Sequence, residues 1–195
     1  MTYGELKKRI FLLLDVDPAE AAEEGSLAFL ISAALAETVN AVARKAAFYL
    51  KSIFKTETLY FSADAYGVCA KLPEDAAAVK EIRKGMHTYG VVSFEKLGDR
   101  LFFFDGKEGT YTVGYYAFPH TLGRDSFDEM ELEGDVRLWD AVAYGVCAEL
   151  CSKVYPGDMK RYVRLATEFD ERMTVPSRDI GDGVKDRLFA RKRSF

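Results

Sequence analysis

The residues of this chain able to do chemistry are few and scattered. It has two His, His87 and His120, in different segments, with no Cys or acidic ligand at metal spacing beside either. Cys147 and Cys151 stand four residues apart, on one face of an expected helix. Two thiolates do not complete a metal site, and buried free Cys behaves as a small hydrophobe, so both read as core. Cys69 brings the count to three, an odd number that argues against a secreted disulfide scaffold. No Gly-x-Ser-x-Gly elbow and no Walker pattern occurs, and no G-x-G-x-x-G follows a strand. Gly181-Asp182-Gly183 falls in a tail-like region and reads as flexibility rather than a phosphate cradle. The carboxylates Asp125, Asp128, Glu129, Glu131, Glu133 and Asp135 could serve acid–base or magnesium chemistry. With little apolar sequence around them, they read instead as a solvated acidic connection. The residue types therefore nominate no catalytic site, no cofactor and no metal.

The C-terminal residues are more suggestive. Lys185, Arg187, Arg191, Lys192 and Arg193 are interleaved with Leu188, Phe189 and Phe195. A purely solubilising terminus has no use for those apolar residues. Basic residues alternating with apolar anchors suit a segment that orders on a partner surface.

These segments need elements to position them. Thr2 and Glu5 form a capping box for a first helix with the stripe Leu6, Ile10, Leu13 and Leu14, ended by Asp15-Val16-Asp17-Pro18. Ser26 caps a long second helix, expected to reach about Lys55 and to act as the spine. Strands are expected over 57–63, 66–71, 90–97, 100–104 and 110–118, with a short helix over 74–84 ended by Gly85. Tyr111, Val113, Tyr115 and Ala117 face one way in the last strand, and Thr112, Tyr116 and Phe118 the other. Two apolar faces imply a covered layer or a surface awaiting a partner. Residues 124–135 read as an exposed connection, followed by helices over 135–154 and 158–173. The expected fold is α+β and mainly helical: a long spine helix and two C-terminal helices, a small antiparallel β-layer, and a flexible C-terminal tail. One domain covers 1–173, and 174–195 form the basic tail.

Composition bounds the class. A chain of 195 residues, 49% hydrophobic and 30% charged, is long enough to bury a core without staples. A formal net charge of −4 disfavours wholesale nucleic-acid binding but leaves room for a local basic patch. No stretch reads as a signal peptide, and none is expected to supply the roughly 20 apolar residues of a membrane span. A soluble cytosolic product is the expectation.

The order of these features resembles the head–tail connector (adaptor) proteins of tailed bacteriophages and prophages. Leu72-Pro73-Glu74-Asp75 matches a Leu-Pro-x-Asp punctuation in that family, and Tyr115-Tyr116-Ala117-Phe118-Pro119 matches a Tyr-Tyr-x-x-Pro strand end. An acidic loop and an Ala-, Tyr- and Leu-rich helix from Trp139 to Leu150 follow in the same order. The resemblance spans roughly residues 2–173 and implies a structural virion protein rather than an enzyme. It implies a ring of many copies, commonly about twelve, beneath the portal protein, extending the DNA channel and meeting a downstream tail or neck protein. DNA would pass without sequence-specific binding. The tail residues Lys185, Arg187, Leu188, Phe189, Arg191, Lys192, Arg193 and Phe195 would dock on the portal. Tyr115, Tyr116, Asp125, Asp128 and Glu129 are the candidates for self-association. Such a protein is made in the bacterial cytoplasm and ends at the head–tail junction. The alternatives are a tail-completion or neck protein of the same virion, and a small regulator whose basic tail touches nucleic acid.

Overall fold

The structure is a computed structural model and describes residues 1–123 and 126–174; the whole of the basic segment lies outside them. Four α-helices and seven strands follow one another as α1 (Tyr3–Leu14), α2 (Leu27–Leu50), β1 (Phe54–Asp64), β2 (Gly67–Lys71), β3 (Ala76–Lys84), β4 (His87–Tyr89), β5 (Phe94–Leu97), β6 (Arg100–Phe103), β7 (Gly109–Ala117), α3 (Val136–Val154) and α4 (Met159–Met173). A short 3₁₀ turn, Pro18–Ala22, links α1 to α2. The α+β class stands, but the expectation of a mainly helical chain does not. A single antiparallel sheet in the order β4-β3-β7-β1-β2-β6-β5 makes up the other half of the architecture.

The largest difference lies at residues 74–84, expected as a helix and found as β3. Ala76, Ala77 and Ala78 favour helix locally, but the segment is the missing neighbour of β7, pairing Ala76 with Ala117 and Ile82 with Val113. Burial of Ala76 and Ile82 against the sheet interior outweighs a propensity difference of well under ~1 kcal/mol per residue. Gly85 is accordingly not a helix cap. It takes φ 58° at the first position of a two-residue turn into β4, where only glycine enters cheaply. β4 was itself unexpected, and β5 begins only at Phe94, because residues 90–93 carry the chain between the two sheet edges.

Those edges curl toward each other. Lys96 of β5 reaches across to the carbonyl of Ala77 at the start of β3, 3.1 Å away. The curl encloses an aromatic cluster: Phe61 and Phe103 lie 5.8 Å apart, Phe61 and Tyr111 5.4 Å, and Tyr89 and Phe103 4.8 Å, all edge to face.

In the helical layer, α2 begins at its Ser26 cap but ends at Lys51, which adopts the left-handed conformation with φ 51°. The chain there turns into the sheet through the buried Ile53. At 24 residues α2 spans about 36 Å. Contrary to the sequence expectation, it is long and apolar enough to cross a membrane by length and composition, with mean hydropathy 1.4 in its most apolar window. Its stripe Ile31, Leu35, Val39, Val42 and Ala46 is buried and packs on α3, as a core helix does. Gly145 of α3 makes that approach possible: a Cβ there would stand 2.6 Å from Val42 Cγ1 and 2.9 Å from the Phe169 ring of α4.

The acidic segment is not the free connection expected. Tyr3 N donates to Met130 O and Gly4 N to Asp128 O, each at 2.9 Å, so this segment satisfies two of the orphan amides that open α1. Leu132 N donates to Met1 O, and the Leu132 side chain is buried. Thr2 and Glu5 complete the capping box as expected.

Candidate functional site

The two motifs that carry the family resemblance meet in space. β3 begins just after Asp75 and pairs with the end of β7, so Leu72-Pro73-Glu74-Asp75 lies against Tyr115–Pro119. Phe118 N donates to Asp75 O at 2.7 Å. The Tyr115 hydroxyl donates to Asp75 Oδ1 at 3.3 Å, and Lys55 Nζ, from β1, to Asp75 Oδ2 at 2.9 Å. Lys55 also reaches Glu133 Oε1 at 3.2 Å. Glu133 in turn takes the His120 amide on Oε2 at 3.2 Å, and its carbonyl accepts from Trp139 Nε1 at 2.7 Å.

This network ties β1, β3, β7, the acidic segment and α3 together where the sheet meets the helices. Burial, then the Asp75 carboxylate, pushes the Tyr115 hydroxyl up to about 12. Lys55 is raised as well, foremost by its hydrogen bond to Asp75. Both groups hold their protons more tightly than in water, which preserves the hydrogen bonds they give to Asp75. Lys55 was not singled out from the sequence, and Glu133 was read only as part of a solvated acidic connection; they are 78 positions apart, and nothing local pairs them.

The proposed self-association residues divide. Tyr115 is 3% exposed and its ring is used inside the monomer. Tyr116 is half-buried on the opposite sheet face, edge to face with Phe54 at 5.7 Å. Asp128 is exposed and paired with Lys7, and Glu129 is exposed beside it. Asp125 and the residues Lys185, Arg187, Leu188, Phe189, Arg191, Lys192, Arg193 and Phe195 lie outside the described residues.

Two exposed apolar surfaces were not anticipated. The register places the β1–β2 and β3–β4 turns, the β4–β5 connection and the β6–β7 loop at one end of the sheet, the end away from the helices. Each turn or loop presents a large apolar residue there: Tyr66 (87% exposed), Met86, Val92 (90%) and Phe104. The second surface is at the α2 terminus farthest from the sheet. Leu12, 79% exposed, and Leu27 line an open groove of about 560 Å³ rimmed by Asp15, Asp17 and Glu20, and Leu30 is exposed one turn on. Turn tips and helix N-termini carry no periodic signal, so neither surface was readable from spacing.

The chemistry-bearing residues stay apart. Among the described residues no three His, Cys, Asp or Glu side chains come together as a metal site. Cys147 and Cys151 are fully buried in α3; burial pushes the Cys147 thiol up to about 12, and its Sγ points at Ile10 O, 3.6 Å away. Cys69 donates to Asp64 Oδ2 at 3.2 Å, a bond that raises the thiol and so disfavours the thiolate. His87 stacks edge-on against Tyr89 at 4.3 Å. No protein-family model matches the chain, and no curated protein matches it.

Proposed function

We propose that this chain is a structural subunit of the head–tail connector of a tailed bacteriophage or prophage. Copies form a ring, commonly of about twelve, beneath the portal protein, extending the DNA channel and meeting a tail or neck protein below. A ring subunit needs two unlike faces, because each copy gives one surface to one neighbour and a different surface to the next component. The observation that carries the reading is the pair of exposed apolar surfaces, one at the far end of the sheet and one at the far end of α2. Isolated surface hydrophobics need no explanation, but apolar residues gathered on four separate loop tips at one end mark a contact site. The convergence of the two connector-like motifs on one polar network also supports it, since that network fixes how sheet and helices are joined. The basic C-terminal segment supplies the portal contact, and the site of action is the head–tail junction of the virion.

The test is co-purification of the chain with the portal protein encoded in the same genome, followed by negative-stain imaging. A portal ring bearing one added symmetric layer is the expected result. A portal that stays bare across a range of salt concentrations overturns the proposal.

A further inference from the structure

One side of the molecule carries cations that form no ion pair among the described residues. Arg44, Lys51 and Lys80 are among them, and each is exposed. Each lies instead over an aromatic ring: Arg44 over Phe118 at 4.9 Å, Lys51 over Tyr116 at 5.6 Å, and Lys80 over Phe54 at 5.2 Å. Phe54 and Tyr116 touch each other. Arg44, Phe48 and Lys51 fall at i, i+4 and i+7 of the end of α2, one face of that helix, and Phe48 is half exposed between the two cations. The result is a continuous strip in which cations and aromatics alternate, running from the end of α2 onto the outer face of β1, β7 and β3. Three carboxylates border it: Glu81, committed to Arg83, Asp75, committed to Lys55, and Glu74, the last two sharing a cleft with Arg44.

We propose that this strip is a contact surface for the phosphate backbone of double-stranded DNA. A cation held over a ring keeps its charge and is presented at a fixed height, whereas one in an ion pair has spent it. Arg44 and Lys51 stand two helical turns apart, about 10 Å, which is the axial span of about three phosphate-to-phosphate steps on one strand of B-DNA. With only three cations, each placed for phosphate contact, the expected binding is weak and independent of sequence. That suits DNA that slides past rather than DNA that is held. The inference does not require the connector reading, although on that reading the strip is part of the wall that moving DNA touches.

The test is fluorescence anisotropy of a labelled 30-base-pair duplex against the full chain at several salt concentrations. Three phosphate contacts predict a log–log slope near −2.7, so affinity should fall roughly 40-fold between 50 and 200 mM salt. The variant R44Q/K51Q/K80Q should lose binding at 50 mM salt and with it the salt dependence. It should still co-purify with the portal, and K153Q/K160Q should bind DNA like the parent chain. Because these three side chains are exposed and each gives up only a cation–ring contact, the strip variant should stay folded and melt no more than several degrees below the parent. Three results overturn the proposal: no DNA binding by the parent chain at 50 mM salt, strip and control variants that lose binding equally, or unchanged binding by the strip variant with loss only on removing residues 176–195. None of these bears on portal attachment, which is read separately.

Discussion

Asp75 and Tyr115, forty positions apart, share a hydrogen bond of 3.3 Å where the sheet joins the helical layer, and Asp75 also accepts from Phe118 N and Lys55. The Asp75 carboxylate thus joins β7 to β1, while its backbone carbonyl holds the residue that follows β7. Each of its partners would otherwise be a polar group turned into a largely apolar junction, which is where an unmade hydrogen bond costs most.

Removing either end of that bond should therefore destabilise the fold without changing its shape. Asp75→Asn and Tyr115→Phe are each expected to cost about 1 kcal/mol, and the double variant less than the sum. Urea denaturation of the four proteins measures the coupling; strict additivity would show that the contact contributes nothing. Tyr115→Ser, which also empties a buried ring position, should cost about 3–5 kcal/mol. Tyr116→Ser, at a half-buried position on the other face, should cost clearly less.

The same network sets an alkaline limit. Tyr115 loses its proton near 12 in the folded chain against an ordinary value of 10.0, and Lys55 is raised too. The folded state then holds protons that the unfolded chain has released, so stability is complete below pH about 10 and falls between about 10 and 12. Cys147, also pushed up to about 12, acts in the same direction from a lower starting pH. Tyr115→Phe should make the fall above pH 10 shallower. Denaturation midpoints that decline as steeply in that variant would contradict the assignment.

Gly145→Ala tests the close packing of α2, α3 and α4. Alanine is the better helix former by about 1 kcal/mol, but its methyl would stand 2.6 Å from Val42. Overpacking should win, giving a net loss of about 1–3 kcal/mol and a lower melting temperature. A raised melting temperature would mean that the three helices separate easily.

Legibility followed the range of the interaction. The caps at Thr2 and Ser26 were readable because the capping residue and the amide it takes are three positions apart, and the starts expected at 135 and 158 fall on the residues that cap α3 and α4. The buried and half-buried faces of β7 were readable from alternation alone. What was hidden depended on distant partners: Ala76–Ala78 became strand because β7 lacked a neighbour, and the acidic segment was pinned by α1 amides more than a hundred positions earlier. Of the candidate site, the two motifs were visible as strings, but their meeting at Asp75 and the Lys55–Glu133 link were not. The loop tips gave no signal because a turn residue's exposure is set by the register of strands around it.

Met86 and Val92 allow the far end of the sheet to be probed without touching the core. Replacing both with Lys should leave melting unchanged, since both side chains are already in solvent. Attachment of the next component, or ring assembly with the portal, should weaken. Imaging that shows an intact layer at unchanged occupancy would remove this surface from the assembly.

The basic segment can be tested by deletion. A chain ending at residue 175 should melt like the parent and fail to co-purify with the portal. A truncated chain that still binds the portal assigns that contact elsewhere.

The pairing of α1 and α2 with α3 has a consequence for synthesis. The apolar stripe of α2 is complete once Leu50 has been made, yet its partner helix begins only after the 85 residues from Lys51 to Asp135 have been added. At ribosomal speeds of about 5–20 residues per second, that leaves a helix pair waiting roughly 4–17 seconds with an oily side uncovered. A nascent chain of this kind exposes apolar surface of the sort that chaperones shield. Its yield should depend more on how quickly translation reaches α3 than on the stability of the finished protein.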